Sequence, residues 1–393
     1  MRPALVPVLL AVVAMPLVAA AAPGGPAVSE TRAMDPVSVS DETPRMLTVG
    51  TVAAEGYNGT TLDWSAAFGS DAASLRGTFA GYHLEERVSS TDDEEARQRA
   101  FDEAADRVAA RLASLRDREE NAVQAYASGA LAEREMLARL GRVHDGASAL
   151  RPVIQSLLTL AADGGSTERA YELVRKADTL TGPLRADLAA GVSGAPDPAT
   201  VHVEASADGV TLARVLEESP GPTYVRETVR FDNRDGNDTT TFENQTVFYN
   251  AMAERYPWAM GNSNELSVDF PGAVHQFYID YGTGTFTAYV DGSTRRVFRD
   301  VHRQRASQVP VTATANATGS RLSVQVNATY DGGPLQVAVE NAIGTTIDAT
   351  VTVGNRSVGS TGDDGVLWTV APNGRANVTA TTGDDSVSVP LPA

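Results

Sequence analysis

A periodic stripe that begins just after Asp92 constrains the fold of this chain more than any other feature. Phe101, Ala105, Val108, Leu112, Leu115, Glu119, Ala122 and Tyr126 recur at spacings of four and three, which places them on one face of a single long helix. About 35 residues of helix span roughly 50 Å, longer than most small domains are wide. Such a helix needs partners along its length. Thr91 or Asp92 is placed to cap its start, Asp93, Glu94 and Glu95 complement its positive end, and Gly129 is placed to end it in a left-handed conformation. Glu119 is the one charge in the stripe; there the helix leaves its partner or the stripe drifts around the axis.

Three further helices supply the partners. The first runs from about Leu131 to Val143. The second follows Arg151 and Pro152 through Ile154, Leu157 and Leu158. The third runs from Glu168 to about Ala190, with a kink at Gly182 and Pro183. Short connections make them antiparallel neighbours, so residues 45–190 read as a helical bundle. Its first part, from Arg45 to Glu86, reads as a short strand, MLTVGTV, and loops.

Past the Gly/Pro linker at 191–200, VHVEA, GVTLARVL and TYVRETVRF alternate as strands, and an amphipathic helix follows from about Asn244 to Tyr256. Phe277 and Ile279, then Phe286, Ala288 and Val290, alternate about a turn at Gly282–Gly284. Residues 200–306 therefore read as an α+β domain with an antiparallel sheet. Residues 309–393 turn to Thr, Val, Ala and Asn, with seven short strand candidates, and read as an Ig-like or transthyretin-like β-sandwich. The fold class is multidomain α and β: helical bundle, α+β domain, β-sandwich.

The chain opens with Arg2, an apolar run from Ala4 to Val18 and small residues to Ala22, the anatomy of a signal peptide over residues 1–22, followed by a linker over 23–44. Pro7 and Pro16 argue against a retained anchor, so the expectation is a secreted or cell-surface protein with no membrane span after cleavage. Fifty Asp and Glu against thirty-two Lys and Arg leave a net charge of −18, and Lys176 is the sole lysine. At molar salt the Debye length is roughly 3 Å, so this self-repulsion is screened there; the composition fits a salt-loving protein. It also argues against nucleic acid as a partner, because no basic stripe exists to meet phosphates. Cysteine is absent, which excludes thiol chemistry and disulfides. Sequons at Asn58, Asn237, Asn244, Asn316, Asn327, Asn355 and Asn377 point to a glycosylated surface.

Catalytic signatures do not emerge. His83, His144, His202, His275 and His302 never stand at metal-ligand spacing, and nucleophile-elbow, phosphate-loop and dinucleotide motifs are missing. Carboxylate pairs such as Asp92–Asp93 and Glu119–Glu120 fall on helix surfaces and in loops rather than across a cleft. No catalytic, metal or cofactor residue is assigned. Aromatic residues concentrate between Phe248 and Tyr289; most are expected in the core, while Tyr278, out of phase with Phe277 and Ile279, and Trp258 are candidates for a ligand or glycan surface.

Three resemblances add to this reading. The run ATVTVGNRSVGSTGDDGVLWTVAPNGRANVTAT, within residues 346–382, resembles transthyretin-like and carboxypeptidase-regulatory-like modules, which implies a structural or adhesive sandwich. Arg45–Val49, Arg116–Leu140 and Gly284–His302 resemble uncharacterised exported haloarchaeal proteins that carry domains of unknown function. Thr287–Phe298 resembles the last hairpin of PepSY-type domains, which implies a regulator of an exported peptidase as an alternative role. A hydrolase with an unfamiliar carboxylate site is the second alternative. The expectation is a non-enzymatic protein of recognition or scaffolding, with envelope proteins or glycans as partners.

Overall fold

The computed structural model describes residues 35–39, 43–90, 92–162, 166–196, 200–236, 239–270 and 272–391; the expected signal peptide, most of the linker after it and Asn237 lie outside these. In chain order a short strand β1 (Ala54–Asn58) precedes six helices: α1 (Trp64–Ser89), α2 (Glu94–Ala127), α3 (Glu133–Ser148), α4 (Arg151–Ala162), α5 (Thr167–Asp178) and α6 (Pro183–Val192). Then come β2 (Val201–Ser206), β3 (Gly209–Leu216), β4 (Thr223–Arg230), α7 (Gln245–Arg255), α8 (Pro257–Gly261), β5 (Glu265–Asp269), β6 (Val274–Asp280), β7 (Gly284–Asp291) and β8 (Val297–Arg305). The C-terminal strands are β9 (Ala313–Thr318), β10 (Leu322–Ala328), β11 (Pro334–Asn341), β12 (Thr350–Val353), β13 (Arg356–Ser360), β14 (Val366–Val370), β15 (Asn377–Thr382) and β16 (Asp385–Pro390).

The periodic stripe folds as expected into the long helix α2, with its apolar positions buried. Its N-cap is Asp93, whose carboxylate accepts from the Glu95 N–H at 3.0 Å, and Gly129 beyond its C-cap has φ +76°. The expected helix over 168–190 is two helices rather than one kinked helix. The chain leaves α5 at Thr179 and restarts with Pro183 as the first residue of α6, where its missing N–H costs nothing.

The strand expected at MLTVGTV and the loops after it are corrected. Met46 makes only an isolated bridge to Val37, the strand lies further on at Ala54–Asn58, and residues 64–89 form a helix of 26 residues. Gly69, Gly77 and Gly81 lower helix propensity here. Its large apolar residues from Trp64 to Tyr82 also lie off its packed face, which only Leu84 and Val88 join, so no long inward stripe announces it.

The sheet order is β1-β2-β3-β4-β8-β7-β6-β5, antiparallel throughout, so β1 on the N-terminal side of the helices joins a sheet whose other strands follow them. One face carries Val201, Val203, Ala205, Val210 and Leu212 against Ala122, Val123, Leu137, Leu140, Leu184 and Leu188 of the helices. On the other face Phe277, Ile279 and Phe286 pack against Phe248, Met252 and Tyr256 of α7 and its end, with Leu47 among them. The last domain is two four-stranded sheets, β14-β11-β10-β9 and β13-β12-β15-β16, closed over Val324, Val326, Val337, Val351 and Val378. Tyr57, Ala213, Val215 and Tyr224 of the central sheet belong to the same core.

Candidate functional site

Charged groups converge at several places on the central sheet, and two of these are sealed. On the helix face of the sheet, Arg185 of α6 lies between Glu119 of α2, with which it forms an ion pair, and Glu227 of β4 at 3.9 Å. Glu227 accepts from the Leu184 N–H at 2.7 Å and lies 3.2 Å from Arg299, whose guanidinium also donates to the Thr179 and Thr181 carbonyls. A carboxylate at the start of α6 complements the helix end. Burial nevertheless outweighs these attractions and pushes Glu227 up to about 6; Glu119 is raised for the same reason. Glu119 thus neither leaves its partner nor drifts, as the periodicity suggested; a buried arginine from another helix meets it.

On the opposite face, Asp300 accepts from the Leu47 N–H at 2.6 Å and from His302 at 2.9 Å, while Arg226 donates to the Leu47 carbonyl at 2.7 Å. These groups strap the Leu47 backbone onto the sheet. Met46 and Leu47 are themselves fully buried, so the Asp–His pair faces packed protein.

A cleft of about 170 Å³ beside Glu119 is lined by Arg116, Glu120, Arg234 and Phe298, and is smaller than the roughly 300–1,000 Å³ of small-molecule sites. Its neighbour, about 290 Å³, adds Lys176. The cations here already have partners: Arg116 with Asp117 at 3.1 Å, Lys176 with Glu172 at 2.7 Å, and Arg234 over the Phe298 ring at 4.8 Å. Among the described residues no group of three His, Asp or Glu side chains is placed to hold a metal ion.

Tyr278 and Trp258 are not brought together. Trp258 packs edge-on to Tyr281, with ring centroids 5.4 Å apart, on the core that holds Phe277 and Ile279; Tyr278, half-buried, is on the other face of β6. Of the sequon asparagines described, Asn244, Asn316, Asn355 and Asn377 are exposed, while Asn58 and Asn327 are half-buried. Asn327 is tied to Gln336 at 2.9 Å and Thr314 at 2.9 Å.

The exposed chemistry lies on α1, where sequence reasoning placed loops. Trp64, Phe68, Leu75, Phe79 and Tyr82 are each 60–68% exposed. At 3.6 residues per turn they fall within about 60° of arc, along roughly 27 Å of helix. The opposite side of the helix carries glycines: a Cβ on Gly77 would overlap the Ala149 carbonyl, and one on Gly81 would press on Ser156 at 3.0 Å. Up to Tyr82, small residues seat α1 on the bundle and large apolar ones face solvent, the reverse of an ordinary surface helix; Leu84 and Val88 pack inward at its end. The spacing 64, 68, 75, 79, 82 was the signal available in the sequence.

The architecture is that of a multidomain α+β protein with a helical N-terminal half, antiparallel sheets after it and a fibronectin-III-like sandwich at its end. The chain belongs to the family described as Domain of unknown function (DUF7096), which matches residues 1–197. Residues 201–310 match Family of unknown function (DUF7094), and residues 313–389 match the Archaeal fibronectin-III type-like domain. No curated protein and no solved structure matches the chain. Among the described residues no helix is long and apolar enough to cross a membrane.

Proposed function

We propose that this protein is an exported, non-enzymatic component of a haloarchaeal cell envelope that works by recognition or scaffolding, with α1 as its contact face. The observation that carries the reading is the aromatic stripe of α1, held outward by a glycine-lined seat. Contiguous exposed apolar surface of this kind marks an interaction site on a soluble protein. Three further features support the setting: an N-terminal leader-like segment, an acidic composition that stays soluble at molar salt, and a terminal sandwich matched by an archaeal family. The sandwich acts as a structural or adhesive module, as the transthyretin-like modules it resembles do, and the exposed sequons carry glycans.

The test is crosslinking in living cells at native salt, with recovery of a tagged copy and of the Trp64→Ser, Phe79→Ser variant. Envelope proteins recovered with the wild type and lost from the variant support the reading. Identical recovery by both chains overturns α1 as the contact face, and recovery of a single exported peptidase by both replaces scaffolding with regulation of that enzyme.

A further inference from the structure

We propose that the occupant of the α1 stripe is a second copy of this chain, paired antiparallel across a two-fold axis near Ala73 and Ser74. The inference rests on the reading of α1 as the contact face and names what covers it. Its first support is the symmetry of the stripe. Phe68 and Phe79 are equidistant from position 73.5, and Trp64 and Tyr82 are equidistant from Ala73. An antiparallel pair therefore sets Phe68 of one copy at the height of Phe79 of the other, and Trp64 at the height of Tyr82. On the helix each of these pairs also shares a flank of the stripe, as a two-fold contact requires, because the same patch must meet itself. Leu75 lies at the centre.

Charge is the second support. Two copies of a chain carrying −18 repel one another over most of their surface, yet between positions 64 and 84 the only charged residues are Asp71 and Arg76. These two are also equidistant from position 73.5. They balance, so the segment carries no net charge where copies must approach.

Area is the third. Aromatic side chains carry roughly 150–250 Å² each, so five large apolar residues about two-thirds exposed present roughly 600 Å² per copy. Pairing them buries about 1,200 Å² in total, the lower bound of standard stable interfaces. The result is a dimer that forms at micromolar concentration and tightens with salt, since salting-out strengthens apolar burial and screens the acidic surfaces.

The cysteine-free chain permits a direct test with the full-length protein at molar salt. Sedimentation of the wild type should show a concentration-dependent dimer, and Phe68→Ser, Phe79→Ser should raise its dissociation constant at least tenfold, with the thermal midpoint unchanged when both chains are compared as monomers at high dilution. Under mild oxidation Leu75→Cys, beside the axis, should form a covalent dimer. Trp64→Cys should stay monomeric, because its two copies are roughly 28 Å apart along the antiparallel helices. Equal crosslinking at both positions, or at neither, overturns the antiparallel pair. A monomer at every concentration whose stripe binds phosphatidylcholine vesicles makes lipid the occupant instead. A dimer that appears only after removal of residues 1–34 makes that segment the resting occupant. If the wild type is monomeric while the stripe variant of the cell experiment still loses its envelope partners, self-pairing fails and the contact-face reading stands; if both dimerisation and partners survive the substitutions, both fail.

Discussion

Glu119 of α2 and Arg185 of α6 form an ion pair only 2% and 1% exposed, which ties the long helix to the start of α6. Two charges withdrawn from water cost several kcal/mol each, and mutual attraction recovers this only with good geometry and further bonds. Removing one partner strands the other. Glu119→Ala should destabilise the fold by about 3–5 kcal/mol, whereas the double replacement Glu119→Leu, Arg185→Met should cost far less. Guanidinium denaturation of both variants at molar salt checks the contrast.

Beside that pair, His144 lies 3.4 Å from the Gly182 N–H, and burial, with Arg185 and Arg151 nearby, lowers it to about 4 from an ordinary 6.5. Between those values only the unfolded chain binds the proton, so its contribution to stability is complete above pH 6.5 and lost as pH falls toward 4, with a ceiling of about 3 kcal/mol. Glu227, raised by burial to about 6, works in the opposite direction: its contribution is complete below its unfolded value of 4.5 and is lost as pH rises through 6. His144→Gln removes the first effect and keeps the second. The variant should gain about 2 kcal/mol on the wild type between pH 7 and pH 4.5, read from urea midpoints at the two pH values.

Much of the fold was legible because its signals are local. The stripe from Phe101 to Tyr126, the strand alternation of 201–230 and the turn-punctuated strands after residue 309 each dictate an element without knowledge of its neighbours. What was not legible depends on partners distant in sequence. The periodicity of α2 marks Glu119 as an exception and says nothing of Arg185, and β1 pairs with a strand that lies beyond all six helices. For α1, the rule that large apolar residues face inward worked against its recognition. Alternation put Tyr278 on the face of β6 away from Phe277 and Ile279, but it says nothing of Trp258, twenty residues earlier, which caps the core on the opposite side of β6.

Gly77 and Gly69 on α1 should respond to alanine with opposite signs. Alanine in a helix interior ordinarily gains about 0.5–1 kcal/mol over glycine. At Gly69 nothing lies within 4 Å of the new methyl group, so Gly69→Ala should stabilise by about that amount. At Gly77 the methyl overlaps the Ala149 carbonyl, so α1 must shift against the C-cap of α3, and Gly77→Ala should cost about 1–3 kcal/mol. Thermal midpoints of the two variants decide the matter.

Glycan occupancy should follow exposure. Glycopeptide mass spectrometry of native material should find Asn244, Asn316, Asn355 and Asn377 modified and Asn327 bare, because the Asn327 amide is engaged by Gln336 and Thr314 across β10 and its neighbours. Asn355→Gln should leave the unfolding midpoint of unglycosylated protein unchanged. Asn327→Leu should lower stability by about 1 kcal/mol as three side-chain hydrogen bonds are lost.

Two tyrosines join the sandwich to the central sheet: the Tyr224 hydroxyl donates to the Gly332 carbonyl at 2.6 Å and the Tyr57 hydroxyl to the Val370 carbonyl at 2.8 Å. Both rings also belong to the sandwich core, so the two parts share buried apolar surface and should unfold together. Either substitution to phenylalanine keeps the ring and leaves a buried carbonyl without its donor, at a cost of about 1–3 kcal/mol. Tyr57→Phe, Tyr224→Phe should therefore loosen the junction before it loosens either core. Limited proteolysis should cut the connection between β8 and β9, residues 306–312, faster in the double variant than in the wild type, while amide exchange within β10 and β11 stays slow. Protection lost throughout the sandwich instead would mean that the two hydroxyls hold the domain's own core and not its attachment.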